Sequence, residues 1–243
     1  MKLLTLFFLS CSSLFVISCA GSKTGNPSDF VAHYSFDNNL MDLSGHYNHA
    51  NKYGKTIKFD TGYVNNGIRF NNKNIKNIEA SNDFLKLPNI NVINFTVAFW
   101  IKYEKNNNEF NSTIYSFGDN RNGLDPRSFF AFRVTNIGML WVSMQSGINF
   151  VETPQLDISN GEWMHVAVTI NRNKINLFQN GELYFTKKIE FTHEFYDLPQ
   201  YVAYHQWEDG RKGSSRFSGT IDELYIYNRA LKDDEIKKLF NNL

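Results

Sequence analysis

The sequence contains only two cysteines, Cys11 and Cys19, and both fall in its N-terminal leader-like stretch. The rest of the chain has no thiol for a disulfide or a cysteine nucleophile, so its stability must come from burying a core, with or without help from a metal ion. A surplus of charge of one sign is also missing: the formal net charge is +1. That balance argues against nucleic acid or an anionic membrane surface as partner, since either selects a basic patch. After the N-terminal apolar run there is no stop-transfer segment, no tandem repeat, no low-complexity block and no alternation of strands with helices. Aromatic residues, by contrast, make up 16% of the chain, with 22 phenylalanines. In an exported β-protein they fill a core, stack on glycans, or do both.

Lys2 precedes the run LLTLFFLSCSSLFVIS, which has the length and flanks of a signal-peptide apolar region. The run closes on Val16-Ile17-Ser18-Cys19 and resembles a bacterial lipoprotein signal, in which the cysteine carries the lipid and becomes the first mature residue. Residues 1–18 are therefore expected to be a signal peptide and Cys19 the lipidation site, with Cys11 part of the leader. The competing reading is an ordinary cleaved signal with an incidental Cys19. Residues 19–29 are small and polar and read as a flexible tether. Ala20 and Gly21 stand where an aspartate would suggest inner-membrane retention, which favours the outer membrane. Whether the anchored domain faces the periplasm or the exterior is open.

Residues 30–243 read as one domain of short strands separated by Asn, Gly and Asp turns. In NFTVAFWIKY, period two puts Phe95, Val97, Phe99 and Ile101 on one face, with Ala98, Trp100 and Lys102 on the other. SFFAFRV and GMLWVSMQ form an expected antiparallel pair. WMHVAVTIN, KINLFQN and ELYFTKKI follow in hairpin rhythm, with Asn180-Gly181 supplying the step that a type I′ turn favours. Trp163 and Val166 are expected in the core. Trp141 is assigned to the core ahead of a ligand-facing side, and His165 to a structural hydrogen bond. One helix is expected from Asp233 to Phe240, acidic at its start and basic toward its end. Leu231 and Ile236 are spaced as a hydrophobic staple around an N-cap at Lys232. Lysine there forfeits the side-chain cap, worth about 1 kcal/mol.

Four segments in order carry a family resemblance: HYSFDNNLMDLSGHYNHA, NFTVAFWIKY, GEWMHVAVTINRNKINLFQNGEL and FSGTIDELYIYNRALKDDEI. Together they resemble the laminin G-like domains of the concanavalin A-like lectin/glucanase superfamily. The resemblance implies an all-β, two-sheet antiparallel jelly-roll sandwich with a short C-terminal helix. It also implies a structural calcium held by acidic residues of the last and first strands, which here are Asp222 and Asp37, with Asp42 a weaker third. Calcium needs six to eight hard oxygens, so carbonyls and water would complete the shell. The competing reading is that these aspartates cap turns through backbone N–H groups.

Catalysis has little support. The ExDxxE strand of the laminarinase-type hydrolases, which aims its carboxylates into one cleft, is absent, and so are the jelly-roll lyase signatures. Glu194 and Asp197, like Asp222 and Glu223, have spacings that diverge on a regular strand. Sugar binding asks for aromatic planes beside polar groups. One loop offers Asp119, Asn120, Arg121, Asp125 and Arg127, and another offers Tyr204, His205, Trp207 and Arg211. The sequence thus reads as a noncatalytic, carbohydrate-binding or adhesion-type envelope lipoprotein. A protein-binding or structural envelope subunit is the first alternative, and a glycan-active enzyme with loop-borne acid and base the second.

Overall fold

Strand β16 (Ser218–Tyr227) is buried along its whole length and lines two different cores. Ile221, Leu224 and Ile226 face one side, while Tyr225 and Tyr227 face the other. Ile221 and Leu224 are an odd number of residues apart, so regular alternation would put them on opposite sides. A bulge reconciles them: between Asp222 and Tyr225 the register against the neighbouring strand slips, and Glu223 adopts φ 50°. An extra residue on one strand of an antiparallel pair does this, bending the strand as it does so.

The computed structural model describes residues 30–72, 83–89, 91–105, 111–118, 128–146, 149–190, 198–204 and 217–242. In chain order the remaining strands are β1 (Phe30–Tyr34), β2 (Asn51–Tyr53), β3 (Lys58–Thr61), β4 (Asn66–Asn71), β5 (Phe84–Leu87), β6 (Phe95–Tyr103), β7 (Ser112–Gly118), β8 (Ser128–Val134), β9 (Met139–Ser146), β10 (Asn149–Glu152), β11 (Leu156–Asp157), β12 (Trp163–Asn171), β13 (Lys174–Gln179), β14 (Glu182–Lys188) and β15 (Gln200–Val202). They form two antiparallel sheets, a jelly-roll sandwich. The first runs β14-β13-β12-β6-β16-β4-β3, with β1 also on β16. The second runs β10-β9-β8-β7-β15-β5-β2, with β11 on β9.

The expected face of β6 fills the space between the sheets. Phe95, Val97, Phe99 and Ile101 are fully buried there. Phe95 meets Phe117 and Phe130 edge-on at 5.0 and 5.2 Å, and Phe99 meets Phe132 edge-on at 4.9 Å. Edge-to-face contact suits the ring quadrupole and adds to the area buried.

The outer face of the first sheet has a core of its own. Ala98, Ala167, Phe178, Tyr225 and Tyr227 pack with Leu231, Ile236 and Leu239, the last two from helix α1 (Asp233–Asn241). Phe240 continues this layer over Trp100 and His165, with ring centres 5.5 and 6.0 Å apart. The β13–β14 turn fits beneath the helix because residue 181 is glycine: a Cβ there would lie 3.0 Å from Phe240. Asn180 and Gly181 both have positive φ, 49° and 79°, as the Asn-Gly step predicts.

Two side chains differ from expectation here. Trp163 is half-buried on this outer face, edge-on to Tyr63 at 6.2 Å, because its place at the strand end is beyond the sandwich interior. His165 makes no ring hydrogen bond: both ring nitrogens are buried without a partner, and burial pushes its pKa down to about 3. It packs as a neutral aromatic against Trp100.

The helix starts at Asp233 with Lys232 as its N-cap, as expected, and Leu231 and Ile236 are both buried as the staple requires. Glu235 takes over the missing cap. Its Oε2 accepts the Lys232 backbone N–H at 2.9 Å, and its two oxygens accept the Arg229 guanidinium at 2.8 and 2.7 Å. Arg229 and this N–H hold the Glu235 pKa down to about 2. A depressed carboxylate contributes stability that is present above its unfolded pKa and lost as pH falls through its folded one. Thermal unfolding followed from pH 6 to pH 2 should therefore show a weaker acid limb in Glu235→Gln than in the wild type below about pH 4.5. Superimposable limbs would contradict this role.

Candidate ligand-binding face

The helix occupies the outer face of the first sheet. On the second sheet, cross-strand register arranges the outward side chains in rows. Glu152, Ser143, Ala131, Ser116, Tyr201 and Lys86 form one row across β10, β9, β8, β7, β15 and β5. Phe150, Gln145 and Phe129 form a second row, and Trp141 and Arg133 a third. Leu140, Val142 and Met144 point the other way, into the sandwich. Trp141 is therefore on the outer face rather than in the core between the sheets, although only 8% of it is exposed.

The middle of this face is polar and internally ordered. Arg133 Nε donates to Ser143 Oγ at 2.8 Å, and Trp141 Nε1 donates to Glu152 Oε1 at 3.1 Å. Ser116 Oγ donates to the Tyr204 carbonyl at 2.8 Å. The Arg133 guanidinium lies 5.6 Å from the centre of the Phe129 ring. Burial lowers its pKa, against the opposing pull of Glu152.

Aromatic rings flank this strip. Tyr53, Phe84 and Tyr204 stack in sequence at 4.8 and 4.4 Å, and Tyr201 meets Tyr204 edge-on at 5.0 Å. Tyr53 and Phe150, on the strands at the two ends of the sheet, are each roughly half exposed. Fixed donors and acceptors between aromatic planes are what a sugar ring uses, hydroxyls to the polar groups and C–H faces to the rings.

Tyr204 is the one sequence-nominated ligand residue that the structure places on this face. Asp119, Asn120, Arg121, Asp125, Arg127, His205, Trp207 and Arg211 lie outside the described residues, as do Cys19, Glu194 and Asp197. Sequence reading missed Arg133, Ser143, Ser116, Glu152, Phe84 and Tyr53. Strand period separates inward from outward positions, but it does not tell which strands become neighbours.

The three aspartates nominated for calcium divide into two places. Asp42 holds the β1–β2 loop, accepting the N–H groups of His33, Ser44 and Asn48 at 2.9–3.0 Å and the Ser44 hydroxyl at 2.7 Å. Asp37 and Asp222 instead grip the same turn between β3 and β4. Asp37 Oδ1 accepts the Asn66 N–H at 3.1 Å, and Asp222 Oδ2 accepts the Val64 N–H at 2.9 Å. Gly62 allows the approach, since a Cβ there would be 2.6 Å from Asp222 Oδ2. Asp222 is completely buried, and burial pushes its pKa up to about 7. Among the described residues, no three His, Cys, Asp or Glu side chains are grouped to share a metal ion.

Beside Asp222, in the bulge, Glu223 Oε2 accepts the Tyr225 hydroxyl at 2.7 Å and lies 2.6 Å from His33 Nε2. The His33 and Tyr225 rings stack at 4.1 Å. These three side chains fasten β1 to β16 on the helix side of the first sheet, away from the polar strip.

Comparison with known proteins agrees with this architecture. A laminin G family model described as "Concanavalin A-like lectin/glucanases superfamily" matches residues 79–237. Paraclostridial mosquitocidal protein 1 of Paraclostridium bifermentans is 25% identical over 220 residues, covering 84% of this chain and 16% of that protein. Botulinum neurotoxin type X of Clostridium botulinum is 26% identical over 209 residues, covering 84% and 15%. The chain thus spans about a sixth of the length of these curated relatives.

Among solved structures, domain 4 of AbnA, a GH43 extracellular arabinanase from Geobacillus stearothermophilus in complex with arabinotriose, superposes with a TM-score of 0.64 at 22% identity. The match covers 88% of this chain and 98% of that one. The binding domain of Paraclostridial Mosquitocidal Protein 1 superposes at 0.67 with 20% identity, covering 89% and 52%. The binding domain of Botulinum Neurotoxin DC, in complex with SialylT, superposes at 0.65 with 18% identity, covering 88% and 51%. At these identities the likeness is one of fold.

Proposed function

The chain belongs to the concanavalin A-like lectin/glucanase superfamily, and from that premise we propose that its sandwich is a noncatalytic carbohydrate-binding module carried on the cell envelope by a lipid at Cys19. The observation that carries the binding half is the ordered polar strip of Arg133, Ser143, Glu152 and Ser116, set between aromatic rings on the second sheet. Domain 4 of the arabinanase and the neurotoxin DC binding domain, which share the fold, were solved with arabinotriose and SialylT respectively. The Asp119–Arg127 and Tyr204–Arg211 segments, with Trp207 as an aromatic plane, would add recognition groups. The anchor half rests on the apolar leader that ends in Val16-Ile17-Ser18-Cys19.

A glycan array probed with the full chain tests the binding half. Specific glycans should be retained by the wild type and lost on Tyr204→Ala and on Trp141→Ala, each weakening binding at least tenfold. No retention of any glycan would favour a protein partner, and cleavage of a bound polymer would make the protein an enzyme. For the anchor, Cys19→Ser should move the protein from the detergent-extracted membrane fraction to the soluble one; unchanged partition would refute lipidation there.

Calcium is proposed as a structural ion at the Asp37–Asp222 clasp, where a cation would offset the burial of Asp222. There it would supply positive charge and require six to eight oxygen ligands. EDTA should lower the Tm and added calcium restore it, with no response in Asp222→Asn. A wild-type Tm indifferent to EDTA would refute the ion.

A further inference from the structure

The hairpin at the far edge of the first sheet has a feature that folding alone does not explain. Lys174 on β13 and Lys188 on β14 are directly opposite each other in the ladder. Such pairs have Cβ atoms about 4.5–5.5 Å apart, and like charges in them destabilise the sheet. Neither lysine has a carboxylate partner among the described residues, and neither do Arg172 in the adjoining turn, Lys187 or Glu190 have a partner of opposite charge. Lysines on an edge strand can serve to block pairing with another chain. That accounts for Lys187 and Lys188 on β14, but Lys174 is on the strand inside the edge.

The two ammonium groups flank a shallow open depression of about 340 Å³ lined by Asn173, Lys174, Thr186 and Lys188. Behind it a polar ladder crosses three strands. Thr186 Oγ1 donates to Asn176 Oδ1 at 2.7 Å, and Asn176 Nδ2 donates to Thr169 Oγ1 at 3.2 Å. Asn176 and Thr169 are buried, so the ladder fixes the threonine that lines the depression. Asn176 takes the Thr186 hydroxyl proton, so the two opposed cations and the Asn173 amide are the donors left for a small anionic group, which would relieve the lysines' repulsion and accept charge-assisted hydrogen bonds. A single pair of exposed lysines matches one such group, whereas a bilayer surface selects a larger basic cluster. The chain's net charge of +1 gives no general basic surplus for nucleic acid.

We propose that this depression binds the carboxylate or sulfate of an acidic polysaccharide, at a site separate from the polar strip on the second sheet. The proposal rests on the carbohydrate-binding reading and names a ligand class within it.

The test is affinity electrophoresis of the full chain in detergent, through native gels containing heparin, polygalacturonate or neutral arabinan. At least one acidic polymer should retard the protein, and added salt should weaken the retardation. Lys174→Gln/Lys188→Gln should weaken it at least tenfold, while Lys52→Gln/Lys55→Gln, with equal charge removed elsewhere, should not. Without ligand, the Lys174→Gln/Lys188→Gln protein should melt no lower than the wild type. Four results would overturn the site: no retardation by either acidic polymer, retardation retained in the Lys174/Lys188 variant, equal loss in both variants, or Lys174/Lys188-dependent binding to phosphatidylglycerol vesicles without polysaccharide retardation. Array glycans held by the second sheet should still bind the Lys174→Gln/Lys188→Gln protein, so failure of this site and failure of the general binding reading give different results.

Discussion

One constraint organises the molecule: a single strand must pair with three others while both of its faces are buried. β16 runs beside β6 along one edge; on its other edge β4 pairs with residues 218–221 and β1 with residues 224–227. The bulge at Asp222 and Glu223 separates these two pairings and shifts the side-chain alternation between them. It leaves two carboxylates buried in the gap, and each is answered by a neighbour. Asp222 receives the N–H of the β3–β4 turn, and Glu223 receives Tyr225 and His33. A buried carboxylate without partners would cost several kcal/mol, so the bulge and the elements packed around it stand or fall together.

The same strand determines how the two outer surfaces are used. Tyr225 and Tyr227 make the first sheet's outer face apolar, and helix α1 buries them with Leu231, Ile236 and Leu239. The part of that surface covered by the helix is structural. The second sheet presents the opposite chemistry on its outer side, with serines, an arginine and a glutamate hydrogen-bonded between aromatic rings. That contrast, more than any single residue, is the reason for proposing recognition on the second sheet.

The sequence made the core legible wherever period two ran unbroken. Phe95, Val97, Phe99 and Ile101 face inward as read, and Leu224 and Ile226 are the inward pair of their strand. The Asn180-Gly181 turn and the Leu231–Ile236 staple were equally legible because their chemistry is local. Side chains whose surroundings depend on distant elements were not. Trp141 alternates out of the core in plain view, but bulk and apolarity suggested burial between the sheets. Trp163 is at a strand end, where alternation no longer implies depth. His165 needed the helix, through Phe240, to become a buried neutral ring. The polar strip depends on which strands lie side by side, which local pattern does not encode, and the Lys174–Lys188 pairing depends on a bulge at Leu177 and Phe178 inside a hairpin that was itself legible.

Hydrogen-exchange mass spectrometry of the full chain, with and without a glycan retained on the array, tests the central claim most directly. Slowed exchange should concentrate in β7, β8, β9 and β15, with the β3–β4 turn and helix α1 unchanged. With a neutral array glycan, protection confined to the helix side of the first sheet, with none on the second, would contradict the account.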